Sequence, residues 1–248
     1  MKRSIIVTGA SRGIGRSIAL KAAEKGYQVC VNYKGAADKA EAVVREIEAA
    51  GGTAIAVQAD MAVEADILRM FETVDRELAP LGALVNNAGI VDRAAPVADM
   101  SLDRLERMFS TNITGPFLCA REAVKRLSTA RGGPGGGIVN ISSVAAKLGS
   151  PNEYVDYAAS KAAIDAMTIG LSKEVANEGI RVNAVRPGVI YTDIHASGGE
   201  PDRVDRVKSM VPMQRGGEAE EIADAALWLL SDEASYVTGA LLDVSGGR

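Results

Sequence analysis

The sequence holds a single histidine, His195, and two cysteines, Cys30 and Cys119, far apart in the chain. That scarcity excludes a His/Cys metal centre, which needs several such ligands at close spacing. Both cysteines lie in apolar surroundings and are read as buried free thiols rather than a disulfide. No uninterrupted apolar run is long enough to cross a bilayer. Ile5-Ile6-Val7 ends at once in a glycine loop, which is too short for the apolar region of a secretory leader, and no cleavage site follows. An excess of basic residues is also missing. The formal net charge is -4, whereas a nucleic-acid-binding domain usually carries a basic footprint. These absences predict a cytoplasmic protein that engages neither membrane nor nucleic acid.

What is present is an ordinary globular composition, 47% hydrophobic and 24% charged over 248 residues, enough to bury a sizeable core. Short apolar runs alternate with longer helical patterns. Strands are expected at Ser4–Thr8, Gln28–Asn32, Thr53–Gln58, Ala83–Asn86, Gly136–Ile141, Ile180–Arg186 and Ala240–Val244. Helices are expected at Gly13–Lys25, Ala36–Ala50, Val63–Leu78, Leu102–Phe109, Ile113–Thr129, Tyr154–Asn177 and Glu218–Leu230. Strands alternating with helices predict parallel pairing through right-handed crossovers. The near-continuous apolar strands fit a sheet covered on both faces. The fold class is therefore α/β: a doubly wound, Rossmann-type parallel sheet of about seven strands in one domain over residues 1–248. No linker or internal repeat interrupts it, and the glycine-rich Arg131–Gly137 reads as a surface turn.

The first strand runs into Thr8-Gly9-Ala10-Ser11-Arg12-Gly13-Ile14-Gly15 and then a helix. Glycines let the backbone turn tightly and approach a pyrophosphate, and the helix N-terminus adds free N–H groups. The spacing TGxxxGxG resembles that of the short-chain dehydrogenase/reductase family. The match continues in order along the chain with Asn86-Asn87-Ala88-Gly89, Asn112, Asn140-Ile141-Ser142-Ser143, Tyr157-Ala158-Ala159-Ser160-Lys161 and Arg186-Pro187-Gly188. Each motif is modest alone, whereas their ordered set is specific.

The resemblance implies a nicotinamide cofactor, and the residue ending the second strand discriminates between its two forms. An acid there would accept hydrogen bonds from the ribose hydroxyls of NAD and repel a 2′-phosphate. The chain instead has Asn32-Tyr33-Lys34, and Arg12 stands in the glycine loop. Two cations without a carboxylate predict NADP(H). By resemblance the cofactor also meets Gly9, Ser11, Gly13, Ile14, Gly15, Asp60, Met61, Asn87, Ala88 and Gly89. Beyond the sixth strand it meets Pro187, Gly188, Val189, Ile190 and Thr192.

Tyr157 and Lys161 are four apart, hence on one helical face. A free tyrosine titrates near 10. A nearby ammonium, together with the positive nicotinamide of the oxidised cofactor, is expected to favour the phenolate. The resemblance implies a tetrad in which Tyr157 moves the proton and Lys161 assists it and holds the nicotinamide ribose. Ser143, preferred to Ser142, orients the substrate oxygen, and Asn112 binds a water that links Lys161 to solvent. Tyr154 competes with Tyr157, but the position four residues on is Ala158.

Residues 190–213 read as a substrate lid within the domain. His195 falls there, as a substrate contact sooner than a catalyst. The expected reaction is hydride transfer between NADP(H) and a ketone or secondary alcohol, foremost a 3-oxoacyl thioester. A sugar or polyol dehydrogenase is the alternative. A non-catalytic NADP(H)-binding regulator is disfavoured because the tetrad is intact. Arg104, Arg107, Arg121, Lys125 and Arg126 form a candidate basic patch for an acyl carrier protein. The family likeness, including Val237-Thr238-Gly239 and Asp243–Arg248, implies a homotetramer.

Overall fold

The computed structural model describes residues 2–194 and 198–248. His195 therefore lies outside the described residues. Seven strands form one parallel sheet in the order β3-β2-β1-β4-β5-β6-β7. They are β1 (Ser4–Val7), β2 (Gln28–Tyr33), β3 (Thr53–Gln58), β4 (Leu81–Asn86), β5 (Gly136–Ile141), β6 (Ile180–Pro187) and β7 (Leu241–Val244). The doubly wound expectation is met.

The apolar runs of the strands conceal a period of two. Ile5 and Val7 face one helical layer while Ile6 faces the other. Val29 and Val31 alternate with Cys30 in the same way, as do Ala83 and Val85 with Leu84. Successive strand side chains point to opposite faces, so a sheet covered on both sides needs apolar residues at every position. One layer consists of α1 (Gly13–Glu24), α2 (Ala37–Ala49) and α9 (Ala219–Leu230). The other includes α3 (Glu64–Glu77) and α5 (Gly115–Leu127), with the end of α7 (Val155–Val175). Cys30 and Cys119 are both free thiols buried in this second layer.

Three local features depart from the reading of the sequence. The expected helix at Ile113–Thr129 begins later, because a π turn at Ser110–Thr114 separates α4 (Leu102–Phe109) from α5. A short α6 (Ala145–Leu148) follows the fifth strand. Another, α8 (Arg203–Val207), lies inside the expected lid, where Val204 and Val207 pack on Val189. Both are too short for a periodicity to register. Among the described residues, no helix is long and apolar enough to cross a membrane.

Candidate active site

Strand order reverses at β1, which lies between β2 and β4. Ligands of open α/β sheets bind outside the carboxyl ends of the strands at such a point. The loops leaving β1, β4, β5 and β6 here enclose one cleft of about 690 Å³. Every residue expected at the site lines it except Asn112.

The floor is tied together by amides and one hydroxyl. Thr8 Oγ1 donates to the Val85 carbonyl (3.3 Å) and accepts from the N–H groups of Asn87 and Ala88, both at 2.9 Å. Asn87 Nδ2 returns to the carbonyls of Thr8 (2.8 Å) and Gly9 (3.1 Å). Asn32 was expected against the cofactor, and it does line the cleft, but its side chain is committed elsewhere. Its Oδ1 accepts from Gly9 N–H at 3.0 Å, and its Nδ2 donates to the carbonyls of Val57 and Ala59 at 3.3 and 3.1 Å. Being 1% exposed, it serves to hold the glycine loop against β2 and β3. Met61 is likewise buried, with Cys119 Sγ donating to its sulfur at 3.6 Å.

The glycine loop is shaped by close approach. Gly9 and Gly13 have φ of +63° and +54°, a region glycine enters without strain. A Cβ on Gly15 would lie 2.4 Å from both Asn87 Nδ2 and the Gly9 carbonyl. Gly15→Ala is expected to lower stability by about 1–3 kcal/mol, the usual cost of overpacking. Thermal melting would show this as a lower midpoint, and an unchanged midpoint would show that the loop yields freely.

At the outer end the fold corrects the sequence reading. Lys34 Nζ is 2.7 Å from Asp60, at the end of β3, and Arg12 Nη1 is 4.0 Å from Asp193. Lys39, which was not anticipated, also reaches Asp193, at 3.5 Å. The cations therefore do face carboxylates, brought from other loops. These pairs are solvent-exposed, and such pairs contribute little.

At the inner end, Tyr157 and Lys161 share one face of α7, with Nζ 5.6 Å from the Tyr157 ring centroid. Lys161 is buried and donates to the Ile141 carbonyl at 2.7 Å. Burial pulls its ammonium down to about 8, opposed by the charge of Asp165. Tyr157 is only partly covered at the cleft surface, yet burial of its phenol pushes it up to about 12, opposed by a hydrogen bond with Ser143. The expectation of a favoured phenolate was made for the site holding the oxidised cofactor; in the protein alone desolvation of the anion sets the direction.

The two serines divide. Ser142 Oγ donates to the Lys161 carbonyl at 3.1 Å, whereas Ser143 Oγ accepts from Ala145 N–H at 3.1 Å and bonds with Tyr157. Asn112 rides on the π turn, a distortion frequent at functional sites. Its amide grips Ile90, accepting from the N–H at 2.8 Å and donating to the carbonyl at 2.9 Å. A Cβ placed on Gly89 would lie 3.5 Å from both Asn112 Oδ1 and Lys161 Nζ, so the two groups converge there.

Tyr154, Ser150, Leu148, Val91 and Arg203 also line the cleft. Arg203 lies over the Tyr154 ring at 4.9 Å and pairs with Glu153 (2.6 Å) and Glu200 (2.9 Å), tying α8 to the start of α7. Tyr154 is marked in the sequence only as a competitor of Tyr157, and the other four lining residues carry no motif. The candidate basic patch is not a free one. Arg104 is buried in a bidentate pair with Asp156 (2.8 and 3.1 Å), and Arg107 pairs with Asp92. Arg121, Lys125 and Arg126 surround Glu122 at 3.1, 2.8 and 3.0 Å. Among the described residues no cluster of His, Cys, Asp and Glu could hold a metal ion.

Comparison with known proteins follows the same lines. The family described as Enoyl-(Acyl carrier protein) reductase matches residues 9–248. An uncharacterized oxidoreductase of Escherichia coli, YgfF, is 59% identical over 98% of both chains. A 3-oxoacyl-[acyl-carrier-protein] reductase, FabG, of Staphylococcus epidermidis is 39% identical over 100% of this chain and 99% of its own. Among solved structures, a short chain dehydrogenase from Burkholderia cenocepacia in complex with NADP superposes with a TM-score of 0.89 at 33% identity, covering 99% of this chain and 97% of that one. A blue fluorescent protein from a metagenomic library, in complex with NADPH, superposes with a TM-score of 0.90 at 36% identity, with the same coverage.

Proposed function

The chain belongs to the short-chain dehydrogenase/reductase family, and from that premise we propose that it is an NADP(H)-dependent carbonyl reductase whose leading substrate class is the 3-oxoacyl thioester. The observation that carries the reading is the continuity of one cleft. It joins a glycine cradle and the cations Arg12 and Lys34 at one end to Ser143, Tyr157 and Lys161 at the other. The cradle fits a dinucleotide, because Gly9, Gly13 and Gly15 line the cleft and the N-terminus of α1 offers free N–H groups to a pyrophosphate. Arg12 and Lys34 would meet the 2′-phosphate, displacing their weak surface partners, since a phosphate can engage a guanidinium in two parallel hydrogen bonds.

When bound, NADPH supplies a hydride to the carbonyl carbon. Ser143 holds the carbonyl oxygen by its hydroxyl and stabilises the charge developing there. Tyr157, still protonated at neutral pH because burial raises its phenol to about 12, donates the proton to that oxygen. Lys161 stabilises the phenolate left behind. Its convergence with Asn112 beside Gly89 supports proton resupply from solvent. The segment around α8 closes over the substrate, with Arg203 as its anchor. The reading includes a cytoplasmic location, supported by the free thiols, and a homotetramer, supported by family likeness and by exposed Phe117, Ile169, Trp228 and Tyr236.

Loss of NADPH absorbance with an acetoacetyl thioester tests the proposal, run beside NADH and beside Arg12→Ala. Turnover with NADPH and little with NADH is expected. Arg12→Ala should weaken NADPH by about 10- to 100-fold and NADH hardly at all, the range for a lost hydrogen bond to a charged group. Turnover of sugars or polyols in place of thioesters would move the substrate class while leaving the cofactor. Equal use of NADH would overturn the cofactor assignment.

A further inference from the structure

We propose that Asp165 is a positioning residue for the reaction: its carboxylate, held by Arg186 one helical turn beyond Lys161, keeps the buried lysine charged beside Tyr157. The inference rests on the reading of Lys161 given above.

Asp165 follows Lys161 by four residues on α7, so the two share a face. Its side chain is 9% exposed. One oxygen, Oδ2, accepts from Arg186 Nη2 at 2.7 Å and from Nε at 3.0 Å. The other oxygen, Oδ1, is fully buried and has no hydrogen-bond partner among the described residues. A buried carboxylate oxygen left unsatisfied is costly, and such exceptions call for a reason. Pairing with Arg186 alone does not supply one, because a guanidinium could have taken both oxygens. A reason exists if the negative charge is retained for the lysine next to it.

The groups around Lys161 leave that role to Asp165. On its own helix the lysine lies over the Tyr157 ring and shares its face with Asp165, four residues on. From β5 it meets the Ile141 carbonyl, and beyond it lie Gly89 of the loop after β4 and the neutral amide of Asn112, whose Oδ1, like the ammonium, lies 3.5 Å from where a Gly89 Cβ would stand. The charge of Asp165 acts on it against desolvation. Arg186, on β6, in turn lies 3.5 Å from Asp243 of β7, and Asp243 pairs with Lys147 of α6 at 2.7 Å. Charges thus alternate in sign from the lysine outward to the sheet edge. A structural ion pair needs only Asp165 and Arg186 to attract each other. A device for Lys161 makes their individual removals act in opposite directions.

The test is a titration of Lys161 by NMR of protein carrying 13Cε-lysine, free of cofactor. The Lys161 resonance is assigned by its disappearance in Lys161→Met. Asp165→Asn removes the negative charge and leaves that of Arg186, and the midpoint is expected to fall by about one pH unit, a tenfold loss of proton affinity. Arg186→Gln leaves Asp165 unneutralised, and the midpoint is expected to rise. The alkaline limb of kcat/KM for ketone reduction should follow each midpoint. Midpoints that stay put, or move the same way in both variants, would overturn the proposal. If Asp165→Asn does not fold, the Arg186→Gln midpoint decides, upward in favour and unchanged or downward against. An active Lys161→Met enzyme would instead remove the role assigned to the lysine itself, an outcome the NMR midpoints do not share.

Discussion

Tyr157→Phe is expected to reduce kcat for ketone reduction by about a thousandfold while leaving NADPH affinity within about twofold, as befits loss of a positioned general acid. The substitution deletes one oxygen. The ring remains on α7, and the Lys161 ammonium stays 5.6 Å from its centroid. What disappears is the proton that burial holds on the phenol up to about 12, together with the hydrogen bond to Ser143. The protein alone therefore stores the tyrosine in the form that reduction consumes. Oxidation of an alcohol must first remove that proton, so the alcohol-oxidising direction should gain with rising pH and the reductive direction should not. Stopped-flow turnover and a fluorescence titration of NADPH separate the two effects. A Phe variant with most of its activity would move the acid elsewhere.

Lys161→Met should abolish turnover and, against habit, stabilise the fold. Burial lowers the ammonium from 10.5 to about 8, a difference equivalent to about 3 kcal/mol against the charged form at neutral pH. Methionine removes that cost and leaves the Ile141 carbonyl without its donor, which returns about 1–2 kcal/mol. A net gain of about 1–2 kcal/mol is expected. The pH dependence has a definite sign. Between about 8 and 10.5 the unfolded lysine still binds a proton that the folded one has released, so wild-type stability rises with pH across that window. Below about 8 the full penalty is present. The advantage of the methionine variant should thus be largest below pH 8, disappear within the window and give way to a disadvantage of about 1–2 kcal/mol towards 10.5, where only the lost donor to Ile141 remains. Urea unfolding of both proteins over that range measures the difference curve, in which titration of every other group cancels. A methionine variant less stable at neutral pH would mean that Lys161 is held by more than the contacts described.

Much of this site was legible because its constraints are local. A left-handed φ at Gly9 and Gly13 and the four-residue step from Tyr157 to Lys161 are written in adjacent residues. What was not legible depends on residues meeting across the sheet. Asn32 read as a cofactor contact because its strand ends at the cleft, but its amide is satisfied by loops from β1 and β3. Lys34 seemed unopposed because Asp60 is 26 positions away in sequence and 2.7 Å away in space. The rise at Tyr157 in the protein alone has a related reason: spacing reveals a neighbouring charge but not how much water the fold removes. The π turn at Ser110–Thr114 has no periodicity of its own and was absorbed into the helix that follows.

The position of β1 in the middle of the sheet has a consequence for synthesis. Its four residues Ser4–Val7 are fully buried and find partners on both sides, β2 ending at Tyr33 and β4 ending at Asn86. A ribosome adding about 5–20 residues per second takes roughly 3–10 s to cover the 53 residues from Tyr33 to Asn86. During those seconds a growing chain can offer an apolar ribbon whose second edge has no mate. Parallel pairing over such separations is slow to begin with, and a bare edge of this kind invites pairing with other chains. The nascent polypeptide is therefore expected to lean on holding factors early, and less so once Asn86 has cleared the exit tunnel.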